Sequence, residues 1–305
     1  MSTTTTTDAG AQCDPHAVPS PVHPPEHGYA IGDPGRAARE IGPGLPPTPS
    51  GWPDTAIDAA RVDGLELRAA SVRGLSHRRT GTPRHDSYSV CWQPRPGRLV
   101  VTVCDGVGSL EFSHEAADLA AVRMPALLDC PAGSTAPAWP AAFATISAEV
   151  DALATAHGRA MATTVISACI TANAGTGYRA EIAWLGDSAA YLLRDEAWKV
   201  VGGSPKAVDG DAPLVSSTAA LPCIAPEPRC LTINIGTGDA LFLMTDGVAD
   251  PLGSGRGEVG ATLAQWWSIP PDKFEFARQV GFARRSFDDD RTVVAVWPPA
   301  PGPDH

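Results

Sequence analysis

The chain has 305 residues, enough for one large domain or two small ones and for a sizeable apolar core. Lys and Arg number 23 against 34 Asp and Glu, and the net charge of −11 argues against any broad attraction to nucleic acid or anionic lipid. With 43% hydrophobic and 19% charged residues the composition is neither fibrous nor wholly disordered, while 30 Gly and 30 Pro predict many loops.

The amino terminus, Met-Ser followed by five threonines, lacks the basic start and apolar run of a signal peptide. Eleven prolines fall between Pro15 and Pro53 with no helical or strand period, which predicts a disordered tail over residues 1–60 and a folded domain over 61–298. Residues 299–305 form a second proline-rich stub. Seven cysteines, at 13, 91, 104, 130, 169, 223 and 230, contain no Cys-x-x-Cys pair; they read as reduced thiols of a cytoplasmic protein, with 91, 104 and 169 in apolar strand surroundings. The long uncharged stretch 160–178 is too polar to cross a bilayer.

In chain order, Arg98 to Cys104 is a β-branched strand, Ser113 is an N-cap candidate opening a helix, and Trp139 to His157 makes a second helix packed against it. Strand patterns return at Thr163–Thr171, Tyr178–Leu185, Ala190–Arg194 and Ala197–Val201, spaced so closely that they predict antiparallel hairpins. Residues 202–228 read as a long loop or flap. Asp239–Thr245 is another strand, Val259–Ser268 and Lys273–Phe287 a second helical pair, and Thr292–Trp297 a closing strand. The order predicts an α+β fold, helices packed on sandwiched antiparallel sheets.

Carboxylates stand at the ends of the most apolar strands. Val100–Cys104 runs into Asp105-Gly106, Leu241–Thr245 into Asp246-Gly247, Ile182–Leu185 into Gly186-Asp187-Ser188, and Thr292–Val296 starts just after Asp288-Asp289-Asp290. Singly, an Asp-Gly pair reads equally well as a hairpin turn. Jointly, carboxylates converging at a sheet edge would repel and protonate unless hard divalent cations were present.

These elements resemble the metal-dependent serine/threonine protein phosphatases, the PPM or type 2C family, in its bacterial form. The resemblance runs from about Leu67 to Trp297. Ala70-Ser71-Val72-Arg73-Gly74-Leu75-Ser76-His77 through Arg84-His85-Asp86 resembles the first acidic motif, and Val103 to Ser109 the Asp-Gly-x-Gly-Gly element. Ala162-Thr163-Thr164 is similar to a Gly-Thr-Thr strand start, and Trp184 to Tyr191 to a Gly-Asp-Ser-Arg-x-Tyr hairpin. Thr245-Asp246-Gly247-Val248 matches the Thr-Asp-Gly motif, and Asp289 to Val294 resembles the closing Asp-Asn-x-Thr-Val-Val. Six such motifs in the right order are far more specific than any one.

The resemblance implies an α-β-β-α sandwich and a phosphatase that hydrolyses phosphoserine or phosphothreonine with a water activated by two Mn²⁺ or Mg²⁺ ions. It implies that Asp105 bridges the ions, with Asp86 and the Gly106 carbonyl on one and Asp246 and Asp289 on the other. Asp187 matches the position of a third ion, or caps a Gly-Asp-Ser turn. Arg79 and Arg84 are the candidates for holding phosphate, with Arg78 nearby, since arginine suits a bidentate grip. His85 stands where relatives carry Glu, Asn or Gln, Ala189 where they carry Arg, and Val107 where some carry His. His77, His85 and His114 are candidates for a leaving-group acid, and none is assigned. The expected partners are a phosphorylated protein and an opposing serine/threonine kinase, with neither nucleic acid nor membrane. The competing reading is a catalytically silent module that binds phosphopeptides or a partner; a nucleotide hydrolase is disfavoured by the lack of a Gly-rich Lys-Ser/Thr phosphate loop.

Overall fold

The computed structural model describes residues 29–41, 51–128, 137–173, 177–203, 219–223 and 225–299. The strands are β1 (Thr55–Val62), β2 (Leu65–Val72), β3 (Ser87–Gln93), β4 (Arg98–Cys104), β5 (Val165–Ala172), β6 (Tyr178–Leu185), β7 (Ala189–Arg194), β8 (Ala197–Gly202), β9 (Arg229–Ile235), β10 (Ala240–Met244) and β11 (Arg291–Trp297). The helices are α1 (Ala37–Glu40), α2 (Leu75–Thr80), α3 (Ser113–Leu127), α4 (Trp139–His157), α5 (Asp246–Leu252), α6 (Glu258–Trp267) and α7 (Lys273–Val280).

Two antiparallel sheets carry the fold, one in the order β1-β2-β11-β10-β7-β8 and the other β3-β4-β5-β6-β9. The central strands are apolar at successive positions because both their faces are buried. In β11, Val294 and Val296 enter the core between the sheets, while Val293, Ala295 and Trp297 enter the core under α5, α6 and α7. In β4, Leu99, Val101 and Val103 face the other sheet, and Val100 and Cys104 face α3 and α4. Three apolar layers therefore separate helices, sheet, sheet and helices, the α-β-β-α sandwich expected from sequence.

Register brings the acidic turns to one end of the sandwich. Cys104, last in β4, pairs with Ser87, first in β3, so Asp105 and Asp86 adjoin. Met244, last in β10, pairs with Val293 of β11 and Ala189 of β7, which sets Asp246 beside the approaches to both strands. β6 and β7 lie in different sheets, so Gly186-Asp187-Ser188 carries the chain across the sandwich and is not the hairpin the motif suggested. β7 and β8 do form a hairpin.

Several boundaries move. The folded part starts before residue 61: β1 begins at Thr55, and 29–33 form an outlying strap. Ile31 sits in the core under α5–α7, 3% exposed, and its amide donates to the Ala283 carbonyl while Ala283 donates to Tyr29. One buried side chain and two backbone bonds leave no periodic trace in the sequence. Residues 1–28, 42–50 and 300–305, with Cys13 and Cys130, lie outside the described residues, as do 204–218 and 224 of the expected flap. Leu221, from that same stretch, is buried and bridged to Thr163. α7 stops at Val280 rather than Phe287, and Ser113 is the first residue of α3 rather than its cap; its hydroxyl accepts from the Ala162 amide instead. Cys104 and Cys169 are buried and Cys91 half-buried, and none of the three is in a disulfide.

Ile31→Ala should therefore destabilise the protein by about 2–4 kcal/mol, the cost of an unfilled core site. An unchanged denaturant midpoint would show that the strap does not belong to the fold.

Candidate metal centre

Close backbone approach builds the site. A Cβ on Gly247 would lie 1.8 Å from the Asp290 carbonyl oxygen, and one on Gly74 2.3 Å from the Asp289 carbonyl carbon. Only glycine allows the start of α5 and the turn before α2 to lie flat against the Asp288-Asp289-Asp290 segment. Neither Gly106 nor Gly247 has the positive φ of an Asn-Gly-like hairpin turn, and Thr245-Asp246 opens α5. The hairpin alternative for these two pairs is thus set aside by the backbone.

Asp105 is held through its own carbonyl, which accepts from the Thr164 amide (2.8 Å) and the Thr163 hydroxyl (3.0 Å). That is the local work of the Ala162-Thr163-Thr164 motif. Its carboxylate lies within 4.8 Å of those of Asp187 and Asp246, ligand atom to ligand atom. Burial raises the Asp105 carboxyl well above its ordinary range, and the charges of Asp86, Asp246, Asp289 and Asp187 add to the rise.

Asp86 is reached by a polar ladder crossing three strands. Ser71 and Thr292 share a 2.5 Å hydroxyl bond, the Thr292 amide donates to the Thr245 hydroxyl (3.1 Å), and Thr245 donates to Asp86 Oδ2 (2.8 Å). Burial, then the charges of Asp290 and Asp289, push the Asp86 carboxyl up despite that hydrogen bond. Asp289 reaches solvent. Desolvation of its carboxyl, with Asp246 and Asp290 nearby, still raises it to about 6.

Asp290 was missed. It is buried and accepts from the Gly74 amide (2.6 Å), the His85 amide (2.5 Å) and His77 Nδ1 (2.9 Å). Burial opposes its charge, but the bonds from His77, Gly74 and His85 prevail and hold it below the usual carboxylate range. His77 is its counterpart: burial lowers the imidazole, while Asp290 and Asp289 outweigh that and hold it above its ordinary value. A ligand atom of His77 lies within 4.8 Å of those of Asp289 and Asp290. The signal available in sequence was Asp290 itself, standing where the family motif has Asn.

His85 stacks between His77 and His114, with ring centroids 4.2 and 5.5 Å away. Burial and the charge of His77 lower it to about 4, and both its ring nitrogens are buried without a partner. Its backbone does the linking: its amide binds Asp290, and its carbonyl accepts from the Gly106 amide (3.3 Å). Ala189 is fully buried beneath the helices and pairs with Met244.

Both candidate phosphate arginines are already engaged. Arg84 is buried, donating Nε to the Asp86 carbonyl (3.0 Å) and Nη1 to the Ser71 carbonyl (3.1 Å). Arg79 pairs with Asp288 at 2.7 Å, and Arg78 with Asp54 at 2.9 Å. Arg291, also buried, lies over the Phe282 ring and donates to the Phe287 carbonyl, and burial lowers it to about 10 against the pull of Asp289, Asp288, Asp290 and Asp86.

The donor set fits hard divalent ions. Asp105, Asp187 and Asp246 offer only oxygen and converge within reach of one another, and the charges of Asp246 and Asp187 help to raise the Asp105 carboxyl. The structure divides the expected ligands into this trio, Asp86 on the threonine ladder, and Asp289 beside His77 and Asp290.

The family model Protein phosphatase 2C matches residues 73–285, well over half of the chain. No protein of curated function matches the sequence. Among solved structures, the fold is similar to the S. agalactiae serine/threonine phosphatase (17% identity, TM-score 0.59, covering 76% of this chain and 99% of that one). It is similar also to the catalytic domain of the serine threonine protein phosphatase PstP in complex with two manganese ions (23%, TM-score 0.57, 76% and 97%). A third is the PPM Ser-Thr phosphatase MsPP of Mycobacterium smegmatis in complex with cacodylate (19%, TM-score 0.57, 78% and 99%). At these identities the solved structures establish the fold alone, and the family match establishes the kinship: the chain belongs to the protein phosphatase 2C family.

Proposed function

We propose that the chain is a metal-dependent protein phosphatase that removes phosphate from phosphoserine or phosphothreonine in a protein substrate, opposing a serine/threonine kinase. The observation that carries this reading is the convergence of Asp105, Asp187 and Asp246 on a rigid backbone at the mouth between the two sheets. Asp105 would bridge two Mn²⁺ or Mg²⁺ ions, with Asp86 and the Gly106 carbonyl toward one, Asp246 and Asp289 toward the other, and Asp187 serving a third. When bound, such ions supply Lewis acidity toward the phosphoryl oxygens and a water acidic enough to attack phosphorus in line. The chain's own part is positional. Thr163 and Thr164 fix the Asp105 carbonyl, Thr245 orients Asp86, and Gly247 lets Asp246 approach the Asp289 segment. Five cysteines outside any disulfide among the described residues support a reducing, cytoplasmic setting. Among the described residues, no helix is long and apolar enough to cross a membrane.

Hydrolysis of 4-nitrophenyl phosphate and of a phosphothreonine peptide should require added Mn²⁺ or Mg²⁺ and be abolished reversibly by chelation, since hard-oxygen sites exchange their ions readily. Turnover that survives excess chelator, or none in millimolar Mn²⁺, would refute the enzyme reading; the second result would leave a silent binding module.

Asp246→Asn separates ligand from scaffold. It should lower turnover by about a hundredfold or more and shrink the rise in melting temperature on adding Mn²⁺. Without metal it should melt no lower than the parent, because one of the charges raising the Asp105 carboxyl is gone. Parental turnover with a full Mn²⁺ shift would remove Asp246 from the site.

A further inference from the structure

Between α7 and the β1-β2 pair lies a groove of about 410 Å³, within the size range of ligand pockets. It is on the helix side of its sheet, not at the mouth between the sheets: Ile57, Val72 and Phe282 line it, and all three pack with the core under α5–α7. Arg73, Arg78, Arg278 and Arg291 line it too, and none of the described residues around it is acidic. Asp54, which pairs with Arg73 and Arg78, and Glu275, 3.9 Å from Arg278, stand outside the lining. In a chain of net charge −11 this is a local reversal of sign.

The groove has a direction. At one end Arg68 of β2 donates to the Pro271 carbonyl just before α7, and at the other a Cβ on Gly281 just after α7 would lie 3.4 Å from Val72. Near the first end Phe274 and Arg278, one helical turn apart and so on one face of α7, both line the groove and both are exposed, Phe274 by 61%. Lys273 Nζ stands 5.0 Å from the Phe274 ring centroid and extends the positive rim. An exposed aromatic ring among arginines is the chemistry of an interface. The second end includes Gly74, whose turn lies against the Asp288-Asp289 backbone, with the Ser76 amide on the Asp288 carbonyl (2.9 Å). The groove therefore leads from an aromatic and basic rim to the edge of the candidate metal centre.

Resting on the phosphatase reading above, we propose that this groove seats the segment of the phosphoprotein substrate that flanks its phosphorylated residue, and that it selects a flank that is acidic and carries a bulky apolar side chain. The apolar side chain packs on Ile57, Val72 and Phe282 beside the Phe274 ring, and the flanking carboxylates meet the arginine rim, Arg278 foremost because it is the most exposed of the four. The complementarity of charge is what names the occupant: a basic or neutral flank would meet four guanidiniums with nothing to offer them. The substrate class of the enzyme is thus acid-flanked phosphoserine or phosphothreonine.

The test uses the full Mn²⁺-loaded chain and its Phe274→Ala and Arg278→Glu variants, with kcat and KM read on 4-nitrophenyl phosphate and on three sets of phosphothreonine peptides. The peptides carry Glu and Leu, Gly and Ser, or Lys and Leu on one or the other side of the phosphothreonine. The parent should favour a Glu-Leu peptide over its Gly-Ser counterpart by about ten- to a hundredfold, mostly through KM, the worth of one or two good interface contacts. Each variant should lose most of that preference while its rate on 4-nitrophenyl phosphate stays within about twofold of the parent, and Arg278→Glu should in addition gain on the Lys-Leu peptide, which a merely structural role would not produce. Parental rates within twofold across the three sets would overturn the proposal and leave the phosphatase reading intact. So would a Glu-Leu preference that both variants keep, or an equal loss on 4-nitrophenyl phosphate and peptide. Sedimentation of the parent with phosphatidylserine vesicles, lost in both variants while their peptide preference stands, would overturn it in favour of a lipid surface. Arg278 also lies over the Tyr29 ring; if Arg278→Glu does not fold, Arg278→Gln and Phe274→Ala carry the comparison, and an unchanged Glu-Leu preference in both overturns the proposal. A parent inactive on every ester fails the phosphatase reading itself, and this proposal with it.

Discussion

Mutual repulsion among carboxylates gathered at one end of two packed sheets is the constraint on which the rest of this structure depends. At separations of 4.8 Å or less, two like charges cost on the order of 3 kcal/mol per pair at an effective dielectric of about 20. Asp105 has two such neighbours, Asp187 and Asp246, and feels the charges of Asp86 and Asp289 as well. A fold that keeps this cluster must either neutralise it by protonation or supply cations, and the all-oxygen character of the Asp105, Asp187 and Asp246 trio matches hard divalent ions.

The surrounding structure resists that repulsion without relieving it. Backbone groups do most of the holding: the Asp105 carbonyl is pinned by two threonines, Asp290 by two amides, and Asp86 by the hydroxyl ladder from Ser71 through Thr292 and Thr245. His77 and Arg291 both bear on the Asp288–Asp290 side, His77 through its hydrogen bond to Asp290 and Arg291 through its charge. The site has two halves: one is the hydrogen-bonded Asp290–His77 pair, and the other is the all-oxygen group of Asp105, Asp187 and Asp246. The apolar cores on both faces of β10 and β11 make this arrangement stiff, since Asp246 and Asp289 are attached directly to strands buried on both sides.

Much of this was legible in the residues. β4, α4 and β6 follow from runs whose apolar patterns have one reading, and the acidic residues are marked because each follows or precedes such a run. What stayed hidden depends on contacts across the chain. The strap at 29–33 is held by the buried Ile31, the Tyr29 side chain and a few hydrogen bonds to residues far along the chain, so it lies within a stretch that looks like tail. The Gly186-Asp187-Ser188 turn has the local chemistry of a hairpin, and only the partners of β6 and β7 show that it crosses between sheets. Arg84 looked available for phosphate because sequence cannot show two carbonyls already occupying its guanidinium. His77 and Asp290 were each present in a motif, but their pairing is a fact of tertiary structure.

The most direct test of the account is anomalous scattering from crystals of the protein grown in Mn²⁺. The account expects at least two manganese peaks at the mouth between the sheets, with Asp105 and Asp246 oxygens at about 2.0–2.3 Å from metal. Crystals saturated with Mn²⁺ that show no peak within coordination distance of Asp105 would contradict it, because the carboxylate cluster would then have some other purpose.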